Sequence, residues 1–165
     1  MKISEIKTNN ICPFEVKDSK LRLLFSFFLH KAPTVNSRLA IKSKKYDVKW
    51  KSYIKNWKEK TYRFYSEHLP RENILSQYKL TDIKEVGNKD RAFVCAKKDP
   101  TESDYECFAR HLRNSIAHGF VFMVAKKNRM YLFFEDYNKN KNRMAIILVS
   151  KSDLEKLKIE MERDT

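Results

Sequence analysis

The stretch that decides the fold is TESDYECFARHLRNSIAHG, residues 101–119. Pro100 and Thr101 predict the start of a helix, with Thr101 and Asp104 at the spacing of a capping box. Gly119 predicts its end, because glycine commonly follows the last helical turn. The apolar side chains recur at helical spacing: Tyr105, Phe108, Ala109, Leu112 and Ile116. We therefore predict one amphipathic helix that packs on the core through this apolar stripe.

The other side of this helix carries five polar residues: Arg110, His111, Arg113, Asn114 and His118. At about 100° per residue they point away from the apolar stripe, and Asn114 and His118 lie one turn apart. Arg113 and His118 differ by about 140°, so they do not converge within a single helix. A two-fold axis beside the helix would let two copies of the pair line one cleft, which predicts a homodimer.

Two helices are predicted before this one. The first is capped by Asp18 or Ser19 and ends before Pro33. The second runs from near Asp47 to Pro70. Their apolar stripes comprise Leu21, Leu24, Phe25, Phe28 and Leu29 in the first, and Trp50, Tyr53, Ile54, Trp57, Thr61, Phe64 and Tyr65 in the second.

The second helix also has a basic face, on which Lys51, Lys55 and Lys58 follow one another at roughly one-turn spacing. Such a face is ordinarily just solvated, and contact with an RNA backbone is the functional alternative. Residues 71–100 suggest one or two helices, a stop at Gly87 and a short apolar run at 93–96.

Strands are predicted at residues 120–125, 130–135 and 144–149, joined as an antiparallel three-strand meander. A last helix starts at Ser152, with Glu155 completing a capping box, and it buries Leu154, Leu157 and Met161. The predicted fold class is therefore α+β and mainly α, in a single domain. Its helical part spans residues 1–119, and the β-meander with the closing helix spans 120–165.

The composition favours an anionic partner. The 165 residues include 35 Lys and Arg against 21 Asp and Glu, for a net charge of +14. Nucleic acid is the obvious candidate, because basic side chains displace the counterions of phosphate groups. The alternative is that AT-rich codons supply much of the lysine.

Neither a disulfide framework nor a metal or cofactor site is predicted. Cys12, Cys95 and Cys107 lack the paired spacings of disulfides and zinc sites, and two glycines do not make a phosphate loop. The most apolar stretch, residues 21–29, is too short to span a bilayer. We therefore expect a cytoplasmic protein with reduced thiols and no membrane contact.

Arg113, Asn114 and His118 form an arginine, a polar residue and a histidine at a helix end, which resembles the signature of the HEPN superfamily. Residues 112–119, the strands that follow and residues 134–138 resemble bacterial HEPN proteins of abortive-infection and toxin type. The resemblance implies a HEPN-like helical bundle and a metal-independent ribonuclease. In that chemistry the 2′-hydroxyl of the RNA attacks the adjacent phosphate and leaves a 2′,3′-cyclic phosphate.

The resemblance also assigns roles. Arg113 and His118 are the candidate catalytic residues, because an arginine fork fits a phosphate and a histidine exchanges protons near neutral pH. Asn114 and Arg110 are candidate supporting residues. Candidate RNA contacts are His111, Lys51, Lys55 and Lys58.

The expected partners are RNA, a second copy of the chain, and an antitoxin or another defence-system protein. The alternative function is a non-catalytic HEPN-like dimer that binds RNA or protein. A further alternative uses the C-terminal sheet as an edge for a partner strand.

Overall fold

The computed structural model describes residues 1–31, 40–58, 64–67 and 80–163. The helices are α1 (Ile3–Lys7), α2 (Ser19–Lys31), α3 (Ala40–Lys58), α4 (Asp104–His118) and α5 (Lys151–Glu162). The strands are β1 (Phe64–Glu67), β2 (Arg91–Cys95), β3 (Val121–Lys126), β4 (Arg129–Tyr137) and β5 (Arg143–Ser150). The predicted α+β fold class is confirmed. None of the described helices is long and apolar enough to cross a membrane.

The predicted meander is confirmed, and it is part of a larger sheet. β3 pairs with β4 and β4 with β5, both antiparallel. The sheet continues beyond β5 through β2, which is antiparallel to β5, and β1, which is parallel to β2. The order is β1-β2-β5-β4-β3.

Strand β1 corrects one prediction, and strand β2 contains most of the short apolar run noted at residues 93–96. Phe64 and Tyr65 were assigned to the long helix, but α3 ends at Lys58 and both residues lie in β1. Residues 91–95 form a strand that is buried throughout. A strand covered on both faces has no alternation of polar and apolar residues, so its periodicity does not distinguish it from a buried helix. Thr61, Pro70 and residues 71–79 lie outside the described residues.

The predicted starts of three helices are also wrong. α3 begins at Ala40, well before Asp47. The Thr101–Asp104 capping box is wrong, because Ser103 caps α4 and exchanges hydrogen bonds with Glu106. The Ser152–Glu155 box is also wrong, because Ser150 and Asp153 cap α5. Asp18 caps α2 as predicted, by accepting from the Leu21 N–H at 3.0 Å.

The sheet separates two hydrophobic cores. α1 covers the smaller one with Ile3 and Ile6. The larger core lies against the other face, under α2, α3, α4 and α5. The predicted stripe of α4 is confirmed, since all five of its members are buried. Trp50 of α3 stacks on Phe108 of α4 with ring centroids 4.6 Å apart, which fixes α4 between α3 and the sheet.

Candidate active site

The C-terminal end of α4 is a well-fixed helix end. Gly119 follows it with φ 75°, a left-handed conformation in which glycine has no steric cost, as predicted for this position. The Phe120 N–H donates to the Ser115 carbonyl at 2.9 Å. The amide of Asn10 donates to the carbonyls of Gly119 and Val121, at 2.9 and 3.1 Å. This turn therefore holds His118, the last helical residue, in a defined place.

His118 is exposed to solvent. Its imidazole makes no hydrogen bond or ion pair with any residue that the structure describes. The ring is therefore accessible to a substrate or to a second chain.

Arg113 is half-buried, and its guanidinium has few partners. Its Nη1 lies 3.4 Å from the Asn114 Oδ1, a long hydrogen bond. Its buried Nε has no hydrogen-bond partner within the described part of the chain. The Nη2 group makes no hydrogen bond among the described residues, so the planar fork keeps donors for an anion such as a phosphate.

Arg113 and His118 do not meet within one chain. No hydrogen bond joins the two side chains, and five residues of regular helix separate them by about 7.5 Å along the axis and about 140° around it. Because α4 is one continuous helix from Asp104 to His118, the divergence predicted from ideal helix geometry applies to it.

The exposed position expected for His111 is wrong. The residue is 1% exposed. Its Nδ1 donates to the Asp136 carboxylate and its Nε2 to the Ala96 carbonyl, both at 2.7 Å. His111 therefore has no surface to offer an RNA, because a polar side chain can be buried when its hydrogen bonds are satisfied.

The partners of His111 also fix its charge. Both of these 2.7 Å partners are acceptors and lie closer than the Arg110 Nη2, which is 3.3 Å from Nε2, so both ring nitrogens carry hydrogen and the ring is an imidazolium. Burial acts to lower the pKa of His111, but the hydrogen bond to Asp136 and the contacts with Cys107 and Ala96 raise it to about 9. His111 is thus a buried cation paired with a carboxylate.

Arg110 is engaged in a similar way. Its Nε and Nη2 donate to the two carboxylate oxygens of Glu102, at 2.6 and 3.0 Å, and Nη2 also donates to the Ala96 carbonyl at 3.0 Å. Burial acts to raise the pKa of Glu102, but Arg110 and the Lys98 N–H hold it below its ordinary value. With its fork occupied, Arg110 ties the loop before α4 to the helix.

Asn114 connects this buried network to Arg113. Its Nδ2 donates to the Asp136 Oδ2 at 3.1 Å, and its Oδ1 faces Arg113. Asp136 lies on β4, where the register with β5 shifts between Asp136 and Tyr137. Such bulges re-aim side chains, and they often occur beside functional sites.

The sequence predicts no role for Asp136 or Glu102. Asp136 is 3% exposed and Glu102 is 8% exposed. One signal was available, since Glu135 and Asp136 interrupt an otherwise apolar strand. Buried acidic residues in such a strand need cationic partners.

The basic face of α3, which carries Lys51 and Lys55, does not adjoin Arg113 and His118. Lys51 is exposed and lines a shallow pocket with Ser103 and Asp104, at the N-terminal end of α4. His118 lies about 21 Å away along the helix axis. Lys55 is exposed on α3, and the side chain of Lys58 lies outside the described residues.

The family model of HEPN pEK499 p136 matches residues 12–163, which include α4 and all five strands. The chain belongs to this HEPN family. The superfamily resemblance inferred from α4 is thereby confirmed, while the roles of Arg113 and His118 stay predictions. No curated protein and no solved structure matches the chain. Within this HEPN protein, the polar residues of α4 divide into a buried network and an accessible pair.

Proposed function

We propose that this HEPN protein is a metal-independent endoribonuclease that leaves 2′,3′-cyclic phosphate ends. The observation that supports this most is the accessible pair. Arg113 and His118 lie in the C-terminal half of α4 in a HEPN chain, and neither is neutralised by a carboxylate among the described residues. Each is thus available to an anionic substrate.

The two side chains suit the chemistry of the reaction. The 2′-oxygen forms a bond to phosphorus as the bond from phosphorus to the 5′-oxygen breaks. One proton leaves the 2′-hydroxyl and another reaches the departing 5′-oxygen. His118 transfers a proton, a contribution typically worth about 10²–10⁴ in rate. Arg113 stabilises the charge that grows on the phosphoryl oxygens.

Two chains supply the complete site in this proposal. Because Arg113 and His118 diverge on one helix, a two-fold axis beside the C-terminal half of α4 places the second pair on the opposite wall of a shared cleft. The RNA phosphates then neutralise four cationic or potentially cationic groups. The net charge of +14 supports binding of the remaining backbone.

Direct end-group analysis tests the activity. The protein is incubated with total RNA and transfer RNA in EDTA, and the products are analysed by mass for cyclic phosphate. We expect Arg113→Ala and His118→Ala each to abolish cleavage. The matched controls, His30→Ala and Arg163→Ala, change an exposed histidine and an exposed arginine far along the chain from α4 and are expected to cleave normally.

The same assay distinguishes the ribonuclease from the alternative function, a non-catalytic binding module. A non-catalytic module binds RNA or protein as a dimer but yields no cyclic-phosphate ends that depend on both residues. Cleavage that survives either α4 substitution would refute the catalytic assignment.

We propose that the enzyme acts on cytoplasmic RNA in phage defence or as the toxin of a toxin–antitoxin pair. The support is the resemblance of the α4 region to HEPN proteins of those types. Expression of the wild type should then slow growth, and His118→Ala should not. Equal growth of the two strains, at equal protein levels, would refute this role.

A further inference from the structure

The orientation of Asn114 is set by its neighbours. The two ends of an asparagine amide have nearly the same shape, so hydrogen-bond partners decide which end points where. Asp136 offers only an acceptor, so it takes the Nδ2 group of Asn114 at 3.1 Å. The Oδ1 is then turned towards the Arg113 Nη1, at 3.4 Å.

Asp136 is itself held from two sides. His111 donates to its Oδ2 at 2.7 Å, in addition to Asn114. The other carboxylate oxygen, Oδ1, is buried and has no hydrogen-bond partner within the described part of the chain. The carboxylate is therefore fixed entirely through Oδ2, by one cation and one amide.

Two ion pairs lie at this carboxylate. Arg110 is neutralised by Glu102, and His111 by Asp136. Cys95 of β2 and Cys107 of α4 are buried nearby. Asp136 thus forms an ion pair with His111 inside the fold, and among the residues that the structure describes it is linked to Arg113 only by the hydrogen bonds of Asn114.

We propose that Asp136 is a positioning residue of the ribonuclease site, which orients the Asn114 amide and, through it, the Arg113 guanidinium for a phosphate. This inference rests on the proposed function. It means that β4, through Asp136, orients side chains of the site that α4 carries.

The variant Asp136→Asn tests the proposal. An asparagine has nearly the same shape but no charge, and it can turn an N–H towards His111 or Asn114. We expect kcat/KM to fall by about 10- to 100-fold, since a small misplacement of a catalytic group has effects of that size. Glu135→Gln is the matched control. Glu135 is the adjacent buried carboxylate, but it pairs with Lys7 and Arg143.

A double-mutant cycle distinguishes positioning from general damage to the fold. In an Asn114→Ala background the link to Arg113 is already broken, so Asp136→Asn should reduce kcat/KM by less than two-fold more. A merely structural role predicts the full reduction in both backgrounds. Full additivity, or unchanged kcat/KM in Asp136→Asn, would overturn the proposal. If Asp136→Asn does not fold, Asn114→Ala alone decides, and unchanged kcat/KM overturns it.

Side-chain NMR keeps this test separate from the proposed function. The Asn114 amide and the Arg113 Nε–H resonances should shift in Asp136→Asn and stay in place in Glu135→Gln. If the wild type does not cleave RNA, the ribonuclease proposal fails, and these resonances still report on the positioning. Unshifted resonances in Asp136→Asn would refute the positioning in either case.

Discussion

The buried imidazolium of His111 should contribute stability to the fold that is lost as the pH rises above neutrality. Its pKa is about 9 in the folded chain, against an ordinary value of 6.5. A group whose pKa is raised on folding contributes its full stabilisation below the unfolded-state pKa. That contribution is lost as the pH rises through the folded-state pKa. We therefore expect the His111 contribution to the free energy of unfolding to fall between about pH 6.5 and about pH 9.

The size of this effect follows from the two pKa values. One pH unit corresponds to about 1.4 kcal/mol, so the interval from 6.5 to about 9 corresponds to about 3 kcal/mol. This is a large part of the roughly 5–15 kcal/mol that holds a typical domain together.

Cys107 opposes the trend. The contact with Cys95 lowers the pKa of Cys107, burial raises it, and His111 lowers it, giving a value of about 6. A group with a depressed pKa stabilises the fold above its unfolded-state pKa, and this is lost as the pH falls through its folded-state pKa. The measurement is therefore made in a Cys107→Ala background, which removes the opposing titration but also one of the contacts that raise the pKa of His111.

The assay is urea unfolding at several pH values, with Asp136→Asn added to the Cys107→Ala background as the reference. The fall in unfolding free energy should have an upper limit of about 3 kcal/mol without the Asp136 change, because the Cys107 contact is gone, and it should largely vanish with the Asp136 change. NMR of the His111 ring in the wild-type protein should show titration near pH 9. Equal pH dependence in the two variants, or titration of the ring below about pH 7, would refute the argument.

Three further outcomes are expected. RNA cleavage should persist in excess chelator, since the proposed cyclisation uses no metal-bound water; loss in EDTA with rescue by magnesium would count against it. Mixed dimers of Arg113→Ala and His118→Ala chains should recover activity that neither variant has, because one cleft can take its arginine from one chain and its histidine from the other. Light scattering should show a dimer, and a monomer that cleaves at full rate would disprove the composite cleft. Gly119→Ala should lower the free energy of unfolding by about 1 kcal/mol in urea, because φ is 75° there; an unchanged midpoint would contradict this.

Local pattern was enough to predict the helix of the candidate site and the strands after it. The apolar stripe of α4, its end at Gly119 and the meander were all predicted from residues close together in the sequence. Helix periodicity, strand alternation and turn residues act over a few positions, so the sequence displays them directly.

The tertiary structure decided the larger sheet and the buried half of the site. β2 pairs with β5, although α4, β3 and β4 lie between these two strands in the sequence. His111 meets Ala96 and Asp136, which are 15 and 25 residues away along the chain. A helical wheel places His111 on the polar face with Arg113. Whether that face meets water or a carboxylate depends on which strand packs against it, and no pattern within the helix contains that information.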